Sequence, residues 1–486
     1  MASSAIAPRR VSLALFALAL ALRIIYLAMA SSPYDNYLWR LATSLLTDGS
    51  LSIDGVKTTG FEPMYPLFIA ASRLLVGDRM LFVQMVQCGV AAIGAPLVYG
   101  LATSLTHRRR VGVIAGALYA TCPLLVRYGG NIANDATLTA VLVLGFACLF
   151  VTAGTTARAA AAGVGLGLTI LTRTMTLPLL PLGAALLWRD RGGRAGLAFV
   201  AATAVVVAPY ALRNYALNGR ALPTRGGMIL FIANCEYTSR VMPDYGPDIL
   251  QDYAMAALDR RAPQVGVPSP ARERAVDEAF MALVIERIAQ DPLGTLAQKV
   301  RNVGYFFSPV LIPHRDPTAN TVFRVDAQGR IAIDNGPPRP LVDRIVYTAS
   351  YVPVFVFAVA GIGIRRAELG RDAVLAALVA TFAVVQAIYV PTQRYRVPIE
   401  FVLLFYSAVA ADRLLSLADA SRSKKRGSDT NHPANAVFAT VPSTAVTRCS
   451  MCGSMRNMIA SPAPVFGAST GIPVDPRGRS WKTPPA

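Results

Sequence analysis

The sequence predicts an all-α integral membrane protein with about ten transmembrane helices, and two observations predict it. Of its 486 residues, 54% are hydrophobic and only 15% are charged, against roughly 25% charged in soluble domains. The hydrophobic residues also fall into long runs whose connecting loops are alternately basic, the pattern of a chain that crosses and recrosses a bilayer. A net charge of +19 would point to nucleic acid in a soluble chain. Here the Arg and Lys sit in short loops and are not interleaved with aromatics on a polar domain, so no nucleic-acid partner is expected.

The first apolar run, residues 11–30, follows Arg9 and Arg10, which hold the N-terminus in the cytoplasm. Ala28 and Ala30 mimic a signal-peptidase site, but Arg23 interrupts the run and its length exceeds a usual signal core, so it reads as a retained span. Further runs cover 79–104, 111–127, 135–154, 159–172, 174–188, 195–212, 341–363, 372–391 and 398–416. The two that flank Arg173 are short and are expected to tilt or to pack inside the bundle. Arg108, Arg109 and Arg110, then Arg158, then Arg189, Arg191 and Arg194, then Arg365, Arg366 and Arg371, and last Arg413, Lys424, Lys425 and Arg426 mark every second connection as cytoplasmic. Both termini are then cytoplasmic.

The remaining connections face outward: 31–78, 127–135, the turn at Arg173, 213–340 and 391–396. Each holds an Arg that the charge rule would not place there, which marks these residues as site candidates. Residues 213–340 are long enough to fold over the outer face, and 271–307 reads as two helices broken at Asp291 and Pro292. The transmembrane domain thus covers 1–416, with 213–340 as its outer region. Residues 417–486, rich in Ser, Thr, Pro, Asn and Lys without period, read as a disordered basic cytoplasmic tail.

Of three histidines, His107 and His432 fall on the cytoplasmic side and His314 in the outer region, so no metal triad or Ser-His-Asp set can be assembled from them on one side of the membrane. Of the six cysteines, Cys88, Cys122 and Cys148 lie in apolar runs and Cys235 in the outer region. Cys449 and Cys452 form one C-x-x-C without a second pair, weak grounds for zinc. With no phosphate-cradling Gly-rich loop either, chemistry falls to outward carboxylates and arginines. These are Asp35, Glu62 and Asp135 with Arg127, Arg173, Arg213, Arg394 and Arg396.

Asp35 opens a segment, 34–47, in which Leu38, Leu41, Ala42, Leu45 and Leu46 recur at helical spacing, an amphipathic helix suited to a membrane surface. Ser32, Pro33 and Asp35 equally fit a helix N-terminus, so the segment alone leaves capping and catalysis both open. Asp135 likewise fits an N-cap of the next span, Glu62 a solvated turn before Pro63, and each Arg an interfacial anchor. As a set they suit sugar transfer from a lipid-linked phosphate. A carboxylate takes the proton of an attacking hydroxyl, and guanidinium groups hold the phosphate that leaves.

Several stretches resemble bacterial members of the C-type (GT-C) membrane glycosyltransferases, the superfamily of protein O-mannosyltransferases and lipid A aminoarabinose transferases. They are ALRIIYL in the first span, the loop Asp35, FEPMYPLFIAASRLLVG at 61–77, LTRT at 171–174, PYALRNYALNGRALPTRGGMILFIANCE at 209–236, DEAFMALVIERIAQDPLGTLAQKVRNVGYFFSP at 277–309 and RYRVPI at 394–399. In this order they extend the likeness over about 10–416. The resemblance implies a GT-C-like bundle with a mostly helical outer-face loop domain. It also implies an inverting transferase in the cell membrane that uses a polyprenyl-phosphate sugar, with Asp35 in the catalytic role.

By the same matching, Asp135 corresponds to an acidic residue after the third span, and Arg213 and Arg394 to basic residues of the outer face. The substrate-binding set expected is Asp135, Glu62, Arg127, Arg173, Arg213, Arg394 and Arg396. Asn36 stands where many relatives carry a second acid after the loop Asp. This weakens a metal-binding pair at that point: no cofactor is assigned with certainty, and a divalent metal is left open without support in the sequence. Partners are the polyprenyl-phosphate-linked sugar, a lipid, polysaccharide or protein acceptor, and membrane lipids. Two other readings are a lipid-linked sugar flippase and a non-catalytic glycolipid-binding protein. Charge concentrated at span ends and the lack of an internal repeat speak against the flippase.

Overall fold

A computed structural model describes residues 8–30, 37–132, 135–261, 267–315, 322–325, 331–334 and 337–429. Asp35 and Asn36, His432, Cys449 and Cys452 lie outside the described residues, as does the tail beyond Asp429. The described chain is mostly helical. It begins with α1 (Pro8–Ala30), α2 (Tyr37–Asp48), a hairpin of β1 (Ser52–Ile53) and β2 (Val56–Lys57), α3 (Met64–Val76), α4 (Met80–Thr106), α5 (Arg109–Thr121) and α6 (Pro123–Gly129). It continues with α7 (Ala136–Val151), α8 (Thr156–Thr172), α9 (Leu179–Arg191) and α10 (Gly193–Asn218). The long connection supplies α11 (Gly226–Ile232), α12 (Thr238–Val241), α13 (Gln251–Arg261), α14 (Pro270–Gln290), α15 (Pro292–Phe306) and a hairpin of β3 (Val322–Val325) and β4 (Ile331–Asp334). Helices α16 (Leu341–Ile364), α17 (Ala373–Ile388) and α18 (Glu400–Asp429) complete it.

All ten apolar runs fold as helices, but ten spans are not shown. Among the described residues, α1, α4, α10, α16 and α18 with its preceding turn are long and apolar enough to cross a membrane, and α5 with α6 adds a sixth if that pair, bent by 54°, is one span. Helices α7, α8 and α17 have 16, 17 and 16 residues. At 1.5 Å per residue they fall short of a hydrocarbon core about 30 Å thick. The bend falls at Cys122 and Pro123, where proline supplies no N–H to continue the ladder.

Small residues let the helices close on one another. Helix α8 packs on α10 and α7, α4 on α5 and α1, and α18 on α16 and α5, around one continuous core that includes Phe146, Phe199, Phe382 and Phe405. A Cβ on Gly163 would lie 2.3 Å from the Phe199 carbonyl oxygen, and one on Gly361 1.9 Å from that of Tyr406. At the far end of α18 the basic loops meet: Arg108 pairs with Asp412 at 3.1 Å, Arg110 with Asp419 at 3.0 Å, and Arg371 reaches His107 at 3.2 Å. Arg365 and Asp372 form a buried pair at 2.8 Å beside them. The basic loops at 107–110 and 365–372 therefore share one end of the bundle with residues 412–419 of α18.

The other end carries the long connection, which has its own core of Phe231, Tyr237, Val241, Leu250, Leu258 and Phe280. The expected break at Asp291 and Pro292 is present: the Asp291 side chain accepts from the Gly294 N–H at 2.9 Å, capping α15 behind Pro292. Helix α2 covers most of the expected amphipathic segment, but its apolar face, Leu38 and Ala42, packs with Tyr65 and Ile69 of α3. Helix α3 itself was hidden in what read as loop. The first hairpin has a sequence signal that the apolar pattern overshadows: Asp54 and Gly55 take φ of 51° and 79°, a left-handed pair that an Asp-Gly turn favours. Helix α18 runs past residue 416 as far as Asp429, helped by good helix formers and the Arg110–Asp419 pair.

Gly361→Ala is expected to destabilise the protein by about 1–3 kcal/mol, because a backbone carbonyl cannot move aside for the new methyl. Gly363→Ala, which meets nothing within 4 Å, should be neutral or gain up to about 1 kcal/mol of helix propensity. Thermal unfolding of the two purified variants in detergent checks the contrast.

Candidate active site

At the end of the bundle that carries the long connection, the chain closes a charged site from four pieces of sequence. Asp135 immediately precedes α7 and sits at its N-cap position, yet its side chain does not cap the helix. It receives the Arg173 guanidinium in a two-pronged pair instead, Nε to Oδ2 at 2.7 Å and Nη2 to Oδ1, and accepts from the Thr139 hydroxyl at 3.1 Å. Arg173 is held there because α8 ends at Thr172 and the chain turns through a 3-10 segment at Thr174–Thr176. Glu62 accepts the Thr174 N–H at 3.0 Å and so fixes that same turn.

The arginines then gather on aromatic rings. The Arg173 guanidinium lies 4.7 Å from the Tyr395 ring centroid and that of Arg394 4.6 Å from the same ring. Arg394 also donates to the Tyr395 hydroxyl, while its buried Nε has no hydrogen-bond partner among the described residues. Arg225, just before α11, covers Phe61 at 4.7 Å and Tyr37 at 5.3 Å, and its Nε is likewise buried without a partner. Tyr37 and Phe61 pack at 4.7 Å, which seats the start of α2 beside Arg225.

Two carboxylates here differ in kind. Burial raises the Asp135 carboxyl, but the adjoining Arg173 outweighs it and holds the group below its ordinary range, with Arg394 adding to the pull. Arg173 is held above its ordinary value against the opposing effect of burial, chiefly by Asp135. Asp248, in the 3-10 turn Pro247–Leu250, has no such close partner among the described residues. Burial pushes its carboxyl up, and the more distant Arg394 and Arg225 only moderate that.

Thus Asp135, Arg173, Arg394 and Glu62 come together, and Arg225, Asp248, Tyr395 and Tyr37 join them. The joining residues were not foreseen. Tyr395 had a signal, lying between two site arginines in RYRVPI, and Arg225 stood in the quoted stretch TRGG. Asp248 had none. The other expected residues are placed elsewhere. Arg213 donates to the carbonyls of Thr58 at 2.9 Å and Leu51 at 3.2 Å, clamping the first hairpin. Arg127 pairs with Asp343 at 3.6 Å. Arg396 points into the bundle, onto Glu400 at 2.8 Å.

The loop that carries Glu62 is fastened from both sides. Glu273 of α14 accepts from the Thr59 N–H at 2.7 Å and from its hydroxyl at 2.8 Å, while the Asn218 amide reaches that hydroxyl at 2.7 Å. The Tyr210 hydroxyl donates to the Phe61 carbonyl at 2.6 Å. No group of three or more His, Cys, Asp or Glu arranged to hold a metal ion occurs among the described residues.

Residues 59–212 match the family model of the dolichyl-phosphate-mannose-protein mannosyltransferases. No curated protein matches the sequence. Among solved structures, ArnT from Cupriavidus metallidurans bound to undecaprenyl phosphate is similar at a TM-score of 0.34 and 16% identity, over 84% of this chain and 79% of that one. The apo form of that protein gives a TM-score of 0.34 and 15% identity, over 82% of this chain and 77% of that one. The arabinosyltransferase EmbB from Mycobacterium smegmatis gives a TM-score of 0.33 and 15% identity over 82% of this chain, which spans 41% of EmbB. The family match begins at the fastened Thr59 and takes in Glu62, Asp135 and Arg173.

Asp135→Asn leaves a mostly buried guanidinium without its counter-charge, and a loss of about 2–4 kcal/mol is expected, somewhat below that for a fully buried pair. Because the folded state holds this carboxyl low, its stabilisation is complete above the unfolded value of about 4 and is lost as pH falls through the folded value. Thermal melts from pH 7 down to 3 should therefore show the wild type approaching the variant at the acid end.

Proposed function

We propose that this membrane protein, whose residues 59–212 match the mannosyltransferase family, is an inverting glycosyltransferase. In this reading it moves a sugar from a polyprenyl-phosphate donor to an acceptor hydroxyl at the outer face of the cell membrane. The observation that carries the reading is the gathering of Arg173, Arg394 and Arg225 on Tyr395, Phe61 and Tyr37 within and beside the family-matching segment. Two of these three guanidinium groups keep a buried N–H without an acceptor among the described residues, and a leaving phosphate oxygen is the acceptor such groups suit. That a solved ArnT carries undecaprenyl phosphate is in keeping with this donor class.

The reaction assigns each charge a task. The Asp35 carboxylate takes the proton of the acceptor hydroxyl as its oxygen bonds to the anomeric carbon from the face opposite the phosphate. The carbon–oxygen bond to phosphate breaks with its electron pair, and the polyprenyl phosphate leaves with its added negative charge facing Arg394 and Arg225. Arg173, committed to Asp135, contributes to the field and supports the Tyr395 ring. Glu62, bound to the Thr174 N–H, positions the turn that presents Arg173. Chain continuity favours Asp35 for the base, since it lies two residues before Tyr37 in the sequence, and Tyr37 is anchored at this site.

Asp35→Asn is expected to abolish transfer while protein level and membrane insertion stay as in the wild type. Transfer by the purified variant at the normal rate would remove Asp35 from the base role. Mass spectrometry of envelope lipids and glycans from a deletion strain should show one sugar missing and its polyprenyl-phosphate form accumulated. Movement of labelled donor lipid across vesicles without a new glycosidic bond would point to a carrier.

A further inference from the structure

The turn at 393–399 sends its two arginines to opposite sides of Tyr395. Arg394 stays on the Tyr395 ring, whereas Arg396 stacks on Tyr351 at 3.7 Å and lies 5.6 Å from the Tyr347 ring. Arg396 is 0% exposed and lines a cavity of about 250 Å³ between the α5–α6 break, α16 and the start of α18. Leu118, Leu124, Val354 and Leu404 form its apolar walls. Its charged groups are the Arg396–Glu400 pair, closed at 2.8 Å; the Thr121 and Ser350 hydroxyls on its wall donate to the carbonyls of Ala117 and Tyr347, and the buried Arg396 Nη2 has no hydrogen-bond partner among the described residues. The hydroxyls of Tyr347 and Tyr351 donate their protons to the carbonyls of Ser308 at 3.0 Å and Phe307 at 3.3 Å, so neither has a proton left to offer a ligand.

We propose that this cavity binds the neutral, hydroxyl-bearing headgroup of a membrane lipid, such as a glycosyl or glycerol headgroup. An unsatisfied N–H of a buried guanidinium calls for an acceptor. That acceptor is not an anion, because Glu400 lines the same cavity and already neutralises Arg396, so an incoming phosphate would meet a carboxylate. A hydroxyl both donates and accepts, and it meets here a free N–H beside a carboxylate that can take its proton in a hydrogen bond. Arg396 covers the Tyr351 ring, so among the two tyrosines it is the Tyr347 ring that suits the C–H edges of a sugar or polyol.

Size and position agree with this ligand class. The volume falls below the ~300 Å³ at which sites for whole drug-sized ligands begin, enough for one headgroup with its chains outside. Those chains have an apolar route, since α16 exposes Val352, Val356 and Val359. Binding stands independently of the transferase reading. A role as the seat of an acceptor lipid rests on that reading, because only the short turn at Tyr395 separates the cavity from the candidate active site.

The test uses the full-length protein in phosphatidylcholine nanodiscs, labelled with a photoreactive octyl glucoside or the matching octyl phosphate. The glucoside should label α16 and be displaced by plain octyl glucoside, with the phosphate labelling at least tenfold less. Val354→Trp, which fills the cavity without touching the ion pair, should cut glucoside labelling at least tenfold at an unchanged melting temperature. Ser350→Phe, on the cavity rim, serves the same purpose if the first variant fails to fold. Equal labelling by octyl phosphate, or labelling that survives the filled cavity, would overturn the proposal. Transfer activity is not the readout, so loss of the transferase reading leaves the binding result intact.

Discussion

The interaction on which the active end depends is the pair between Asp135 and Arg173. Each is largely withdrawn from water, a state that is costly for a lone charge and tolerable only when a partner and further hydrogen bonds are close. The pair joins the entrance of α7 to the exit of α8 and brings the Arg173 guanidinium onto Tyr395, at the approach to α18. Three distant parts of the sequence are thereby referenced to one another at the end of the bundle where the long connection docks.

A second constraint works on the first loop. Thr59 is fully buried and its backbone and hydroxyl are taken by Glu273, Thr224 and Asn218, while Arg213 holds the carbonyls of Thr58 and Leu51. These bonds tie the loop to α10 on one side and to α14 on the other. A loop so fastened presents Phe61 and Glu62 at a set height, and through Phe61 it supports both Tyr37 and Arg225. Substrate positioning of this kind is where much of a transferase's rate acceleration originates.

The arginines of this end illustrate how one residue type serves two ends. Arg213 and Arg396 spend their donors largely on the protein itself, and Arg173 is matched by a carboxylate. Arg394 and Arg225 instead rest on aromatic faces, which favour a cation without exhausting its hydrogen-bonding capacity. Their opposite charge is the incompletely matched Asp248. Among the described residues, positive potential is therefore left over at this point, and the proposed function assigns it to a phosphate group.

Much of this was determined by the sequence alone: the helical membrane class, the positions of all ten apolar runs, the break at Asp291 and Pro292, and the candidate set that holds Asp135, Glu62, Arg173 and Arg394. Those features follow from local composition and spacing, which act over one or two turns of chain. Whether a run spans or stops short was decided by tertiary packing, since α7, α8 and α17 are buried by neighbours and need not match the bilayer alone. Packing also decided which arginines face the site: Arg394 and Arg396 are two residues apart and diverge because Tyr395 and Tyr351 occupy different sides of the turn. Arg225 and Asp248 reach the site only because the long connection folds back over the bundle, a contact between residues far apart in the chain that no local pattern encodes.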